Sequence, residues 1–190
     1  YPDGTFGPEN HLTRAEMAAI LSRILEIPDT GSAVRYPDVA PGHWAEKAIA
    51  QVSQAGFMIG IPDGMFKPEK TITRSEMAAI ISRLKALSGQ SANDFRDAQV
   101  HWAAAVIAQV YSAGYMFGYL DGTFRPDQPI TRAEAVAVIN RVLERGPLHG
   151  LRSPSWPDVP VDHWAFHEIE EASQDHHYRV DESGREQIEE

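Results

Sequence analysis

One short pattern recurs three times along the 190 residues and constrains the fold more than any other feature. Tyr1-Pro2-Asp3-Gly4-Thr5-Phe6 returns as Ile61-Pro62-Asp63-Gly64-Met65-Phe66 and as Tyr119-Leu120-Asp121-Gly122-Thr123-Phe124. A proline follows each time (Pro8, Pro68, Pro126), and then Thr-Arg-small-Glu: Thr13 to Glu16, Thr73 to Glu76, Thr131 to Glu134. The threonines lie 60 and 58 residues apart. A second half-unit alternates with the first. It has an aromatic residue, an aspartate two places on, and His-Trp-Ala: Tyr36, Asp38 and His43 to Ala45; Phe95, Asp97 and His101 to Ala103; Trp156, Asp158 and His163 to Ala165.

Both halves read as helices entered through turns. Asp-Gly marks a tight turn because glycine tolerates positive φ. Thr13 with Glu16, Thr73 with Glu76 and Thr131 with Glu134 each have the spacing of a capping box. Behind them, Met17, Ile20, Leu21 and Ile24, like Met77, Ile80, Ile81 and Leu84, recur at helical spacing. In the other half the stripe is Trp44, Ala48, Ile49, Val52 and Ala55, repeated at Trp102, Val106, Ile107, Val110 and Ala113. Gly56 and Gly114 stand where such helices would stop. Two short helices cannot bury their apolar faces alone, but three pairs can share a core. Segments 28–35, 88–93 and 146–154 are rich in Gly, Ser and Pro and read as linkers.

Composition narrows the function. Hydrophobic residues are 43%, enough for a core, and no apolar run approaches the 18 residues or so of a membrane span. The formal charge of −10 disfavours nucleic acid, whose affinity depends on Lys and Arg neutralising phosphates. Cysteine is absent, which excludes disulfides and thiolate metal sites. The chain opens at Tyr1 without a Met and reads as a fragment of a longer protein.

The most informative candidates are Arg14, Arg74 and Arg132, one residue inside each helix start. The macrodipole disfavours a cation there by about 0.3–1 kcal/mol. Open N–H groups beside a guanidinium would suit a carboxylate or phosphate. The competing reading is a structural ion pair with Asp3, Asp63 or Asp121. Trp44, Trp102 and Trp164 begin helices, where a Trp is most often core, although its plane also suits a sugar ring. Gly60 and Gly118 would let a ligand approach the backbone, and a turn requirement explains them equally. His43, His101 and His163 read as capping or packing groups, and His176-His177 lacks metal-ligand spacing. No isolated, apolar-flanked carboxylate pair, Ser-His-Asp set, phosphate loop or EF-hand is present in the pattern. A feature repeated in triplicate favours binding over catalysis.

Together these motifs resemble the S-layer homology family over about residues 1–172. The resemblance implies a mainly α fold: three pseudo-symmetric helix-loop-helix repeats around a central helical bundle, with grooves between repeats. It implies non-covalent anchoring of an extracellular surface protein to secondary cell-wall polysaccharide bearing pyruvylated N-acetylmannosamine. In such a groove the Arg of the Thr-Arg-Ala-Glu motif helps hold the acidic sugar. That points to Arg14, Arg74 and Arg132, with Asp3, Asp63, Asp121, Trp44, Trp102, Trp164, Gly60 and Gly118 completing the expected ligand-binding set. No catalytic residue, metal or cofactor is expected, the partner is the wall polysaccharide, and a monomer is favoured.

On this reading 36–87 and 95–145 are full repeats, 1–27 is a second half and 156–172 a first half, all in one domain. Residues 1–27 either pair with 156–172 in permuted order, or an N-terminal half has been trimmed. The last half lacks the Ala-Gly helix end and the Asp-Gly turn, and Glu168 stands where Ala48 stood. The acidic stretch 173–190 reads as a tail whose end is a frayed helix or disordered. Two other functions fit the repeat: a protein-interaction module of a surface array, and peptidoglycan binding. An enzyme acting on wall glycans would need an asymmetric cleft with a carboxylate pair.

Overall fold

The computed structural model describes residues 1–29, 31, 34–89, 92, 94–151, 153–175, 177–181 and 186–188. The chain is mainly helical and forms two compact units, one of residues 11–130 and one of 1–10 with 131–190. His176 and parts of the three expected linkers lie outside the described residues.

Unit 11–130 contains α1 (Arg14–Ile24), α2 (Glu46–Gln54), α3 (Arg74–Leu84) and α4 (Ala104–Ser112). Thr13 and Thr73 cap α1 and α3 with the reciprocal Thr–Glu bonds that the spacing predicts. Gly56 and Gly114 end α2 and α4 at φ of 76° and 77°, a conformation that glycine adopts without a Cβ clash. Helix α1 packs on α2 and α3 on α4. Each pair is also stitched by a polar bond, Ser22 Oγ to Gln51 at 2.6 Å and Ser82 Oγ to Gln109 at 2.9 Å.

The stripe on α2 is shifted from the sequence reading. Ala45, Ile49 and Val52 are buried, while Ala48 is half-buried and Ala55 exposed. Likewise Ile24 is exposed, and α1 buries Ala15, Met17, Ala18 and Leu21. Short helices have room for only a narrow buried edge, and small alanines let the partner helix approach.

A ring of backbone bonds joins the segments that precede the capping threonines. Leu12 N–H donates to Ile130 O (3.3 Å), Ile72 N–H to Leu12 O (2.9 Å) and Ile130 N–H to Ile72 O (3.0 Å). All three side chains are at most 1% exposed. Each buried peptide thus finds its partner in another repeat, as buried backbone groups require. The helix starts follow the same rule. Arg14 and Ala15 N–H donate to Lys70 and Pro68 carbonyls, and Arg74 and Ser75 N–H to Gln128 and Pro126 carbonyls.

The other unit contains α5 (Arg132–Val142), β1 (Leu148–His149), α6 (Phe166–Glu171), β2 (Tyr178–Val180) and β3 (Glu186–Ile188). Arg132 and Ala133 N–H donate to Asn10 and Pro8 carbonyls, repeating the same link. Phe6, Ala133, Val159, Ala165, Phe166 and Ile169 form its core, and Trp156 packs against them. Asn140 ties α5 to α6 by donating to Glu168 O at 2.9 Å.

The strands form a small sheet in the order β1-β3-β2, with β1 parallel and β2 antiparallel to β3. This corrects two expectations. Residues 146–154, read as a linker, contain β1 with Leu148 fully buried. Residues 186–188, read as frayed or disordered, are a strand whose Glu186 is buried and accepts Gly146 N–H at 2.8 Å. Strands of two or three residues are too short to show a period, so the distant pairing of Leu148 with Glu186 leaves no sequence signal.

Candidate functional site

Arg14, Arg74 and Arg132 occupy the first position of α1, α3 and α5. The open N–H groups expected beside them are not open. The first two of each helix donate to turn carbonyls, and the third meets the capping Thr Oγ1 at 3.2 Å. The guanidiniums turn toward the same loops. Arg14 donates from Nε to Phe66 O (2.7 Å) and from Nη2 to Ile59 O (2.9 Å). Arg74 does the same with Phe124 O and Phe117 O, both at 2.8 Å, and Arg132 Nε reaches Phe6 O at 2.9 Å. Each cation also lies over a ring, Phe66 at 4.7 Å, Phe124 at 4.8 Å and Phe6 at 4.8 Å.

Carbonyl oxygens and ring faces therefore offset the repulsion of the helix dipole. Arg14 and Arg74 are only 5% exposed. Burial pushes the Arg14 guanidinium below its ordinary value, while Glu76 pushes it back up. An arginine stays cationic through such shifts.

Beside Arg14 lies a cavity of about 510 Å³, lined by Met58, Ile59, Gly60, Glu76, Arg83 and Trp102 among others. Nη1 of Arg14 lies 3.8 Å from Glu76 Oε1. The cavity brings a cation held by backbone carbonyls together with apolar side chains and an aromatic plane, and its size suits a small ligand.

Trp44, Trp102 and Trp164 are 62%, 66% and 60% exposed, which corrects the expectation that they are core. Ala45, Ala103 and Ala165, one residue later, take the buried position. Each indole lies against its preceding histidine, at ring distances of 5.8, 5.4 and 5.9 Å. The histidines brace the turns that lead into these helices. Nδ1 of His43, His101 and His163 accepts the N–H of Ala45, Ala103 and Ala165. That bond leaves Nε2 as the protonated nitrogen, facing Glu69, Asp127 and Glu9 at 3.2–3.3 Å.

The turn aspartates serve their own loops. Asp3 accepts from Thr5 N–H and Oγ1, and Asp121 from Thr123 in the same way. Asp63 accepts Met65 N–H and pairs with Lys67 at 3.3 Å. Thr123 and then Arg125 hold the Asp121 carboxyl down at about 2.

At Gly60 and Gly118 the protein itself packs closely against the α-carbon, and Gly60 also borders the cavity. A Cβ on Gly60 would meet the Tyr36 ring at 2.6 Å and Met65 O at 2.9 Å, and one on Gly118 would meet the Phe95 ring. Gly60 N–H also donates to Tyr36 Oη at 3.0 Å.

Two sets of residues carry structural roles that the motif reading passed over. Asp38 accepts Phe66 and Lys67 N–H at 2.9 and 2.6 Å; Asp97 accepts Phe124 and Arg125; Asp158 accepts Phe6 and Gly7. Burial would raise these carboxyls, but the backbone donors outweigh it and hold all three below the ordinary value. Glu9, Glu69 and Asp127 are the histidine partners. Both sets recur at the repeat spacing, which was the available signal. Among the described residues no three His, Asp or Glu side chains could hold a metal ion.

A family model described as the S-layer homology domain matches residues 1–18, 35–78 and 94–136. A cellulosome-anchoring protein of Acetivibrio thermocellus is 40% identical over 98% of this chain and 44% of its own length. Cell surface glycoprotein 1 of the same organism is 42% identical over 95% of this chain and 8% of its own. S-layer protein EA1 of Bacillus anthracis is 30% identical over 80% of the chain and 17% of its own. The chain thus spans less than half of each of these relatives.

Proposed function

The chain belongs to the S-layer homology domain family, and on that premise we propose that it tethers a surface protein to the bacterial cell wall by gripping wall polysaccharide in grooves lined by Arg14, Arg74 and Arg132. The ligand is an acidic amino sugar, pyruvylated N-acetylmannosamine, whose ketal carboxylate meets the guanidinium. The observation that carries this reading is the cavity at Arg14. There a backbone-fixed guanidinium and the exposed Trp102 face one space in a chain whose net charge is −10. The relatives' names, an anchoring protein and surface-layer proteins, support the same role. Trp44 and Trp164 occupy the matching positions in sequence and share the same exposure.

On this reading residues 1–27 supply the half-repeat that 156–172 lack. The bonds from Phe6 and Gly7 to Asp158 support that pairing for residues 1–10. A polymer repeats its ligand, so several working grooves would raise avidity by roughly 10²–10⁴ over one.

The test is co-sedimentation of the purified protein with wall sacculi before and after chemical removal of the non-peptidoglycan polymers. Loss of binding on stripping supports the polymer. Binding that survives stripping moves the target to peptidoglycan, and no binding to either preparation leaves a protein partner of the surface array.

A further inference from the structure

The cavity at Arg14 holds more positive charge than one motif arginine supplies. Arg83, in the last turn of α3, lines it as well, and its charge acts on Arg14 across the space. A basic residue in a last helical turn is ordinarily explained by the dipole alone. Here the surroundings add a second reason. Among the described residues Glu76 is the one carboxylate lining the cavity, and its Oε1 already accepts Lys70 Nζ at 2.9 Å while standing 3.8 Å from Arg14 Nη1. Its Oε2 accepts Thr73 N–H at 2.9 Å. That carboxylate is thus divided among the lysine, the helix cap and Arg14. Arg83 touches the protein at Phe57 O, 3.2 Å from Nη1, and its side chain is otherwise exposed.

We propose that Arg83 is a specificity-determining residue which, paired with Arg14 across this cavity, selects glycans carrying a carboxylate over neutral ones. This rests on the polysaccharide reading above and adds a residue to it. Arg14 is buried and locked by Phe66 O and Ile59 O, so it fixes the position of the acidic group. Arg83 stands on the exposed wall and supplies a second donor set, which the two charged oxygens of a carboxylate engage more strongly than a neutral hydroxyl does. Trp102 offers its plane to the sugar ring at the same cavity. Arg83 holds the fold by one exposed bond to Phe57 O and by its place in the last turn of α3, so Arg83→Gln is expected to fold, whereas loss of Arg14 disturbs the turn it holds.

The experiment uses wall polysaccharide fragments from Acetivibrio thermocellus in two forms, native and with carboxylates reduced to alcohols. Titration calorimetry measures both with the wild type, Arg83→Gln and Arg83→Lys, and thermal melts confirm that all three fold. The wild type is expected to prefer the native form, Arg83→Gln to weaken native binding on the order of tenfold while leaving reduced-form binding unchanged, and Arg83→Lys to restore part of the preference. A folded Arg83→Gln that keeps the full wild-type preference overturns the role of Arg83 and leaves the polysaccharide reading standing. A wild type that binds both forms equally overturns carboxylate selection and with it the role of Arg83, and one that binds neither form overturns the polysaccharide reading as well.

Discussion

Replacing Asp38 by Asn tests how one half-repeat is held to the next. Oδ1 accepts the Phe66 N–H at 2.9 Å and Oδ2 the Lys67 N–H at 2.6 Å. Lys67 sits at φ of 57°, an unfavourable region for a residue with a side chain, so the clamp also holds a strained turn. The amide of Asn has the same shape but one acceptor. One N–H keeps a bond without the charge, and the other faces an NH2 donor. A charged bond to backbone contributes about 1.5–3 kcal/mol and a neutral one about 0.5–1.5. Asp38 is half-buried, so water recovers part of the difference, and the net loss is about 2–3 kcal/mol. For a chain of this length each kcal/mol shifts Tm by about 2–4 °C, so the melt falls by about 4–12 °C. Thermal unfolding at pH 7, followed by circular dichroism, reads this directly. A shift of less than about 1 °C would mean that the carboxylate is incidental and the apolar contacts alone fix the turn.

Acid should loosen the same joints. Asp38, Asp97 and Asp158 have folded pKa values below 3.8, so the unfolded chain takes up protons first as pH drops. Their stabilisation is complete above about pH 4 and is lost as pH falls through the lowered values, with Asp121 extending the window to about 2; a Tm that stays flat from pH 5 to 2 would contradict this. Gly60→Ala places a methyl group against the Tyr36 ring and Met65 O and is expected to destabilise by about 1–3 kcal/mol in a denaturant melt, while a neutral result would show that the ring moves freely. Trp102→Ala, at an exposed site, should change stability by less than about 0.5 kcal/mol while reducing retention on wall sacculi; a large drop in Tm with unchanged retention would return this residue to a structural role.

The repeat, the turns and the helix starts were legible because they are local. A threonine three residues before a glutamate reads as a cap wherever it stands, and Thr13, Thr73 and Thr131 all cap as that spacing demands. The asymmetry of the last half-repeat was equally plain in the text of the chain. What the sequence could not state is which partner each group faces. Arg14 looked like a cation beside empty N–H groups, yet the following turn fills those groups and takes the guanidinium too. Trp44 looked like the start of a buried stripe, but a shift of one residue rotates a helix by about 100° and gives the core to Ala45. Gly60 read equally as room for a ligand or as a turn requirement, and only the packed structure shows the Tyr36 ring standing against its α-carbon. Local propensity is set by a residue's own neighbours along the chain. Burial and the identity of the facing side chain are set by segments dozens of residues away, and only the packed structure decides them.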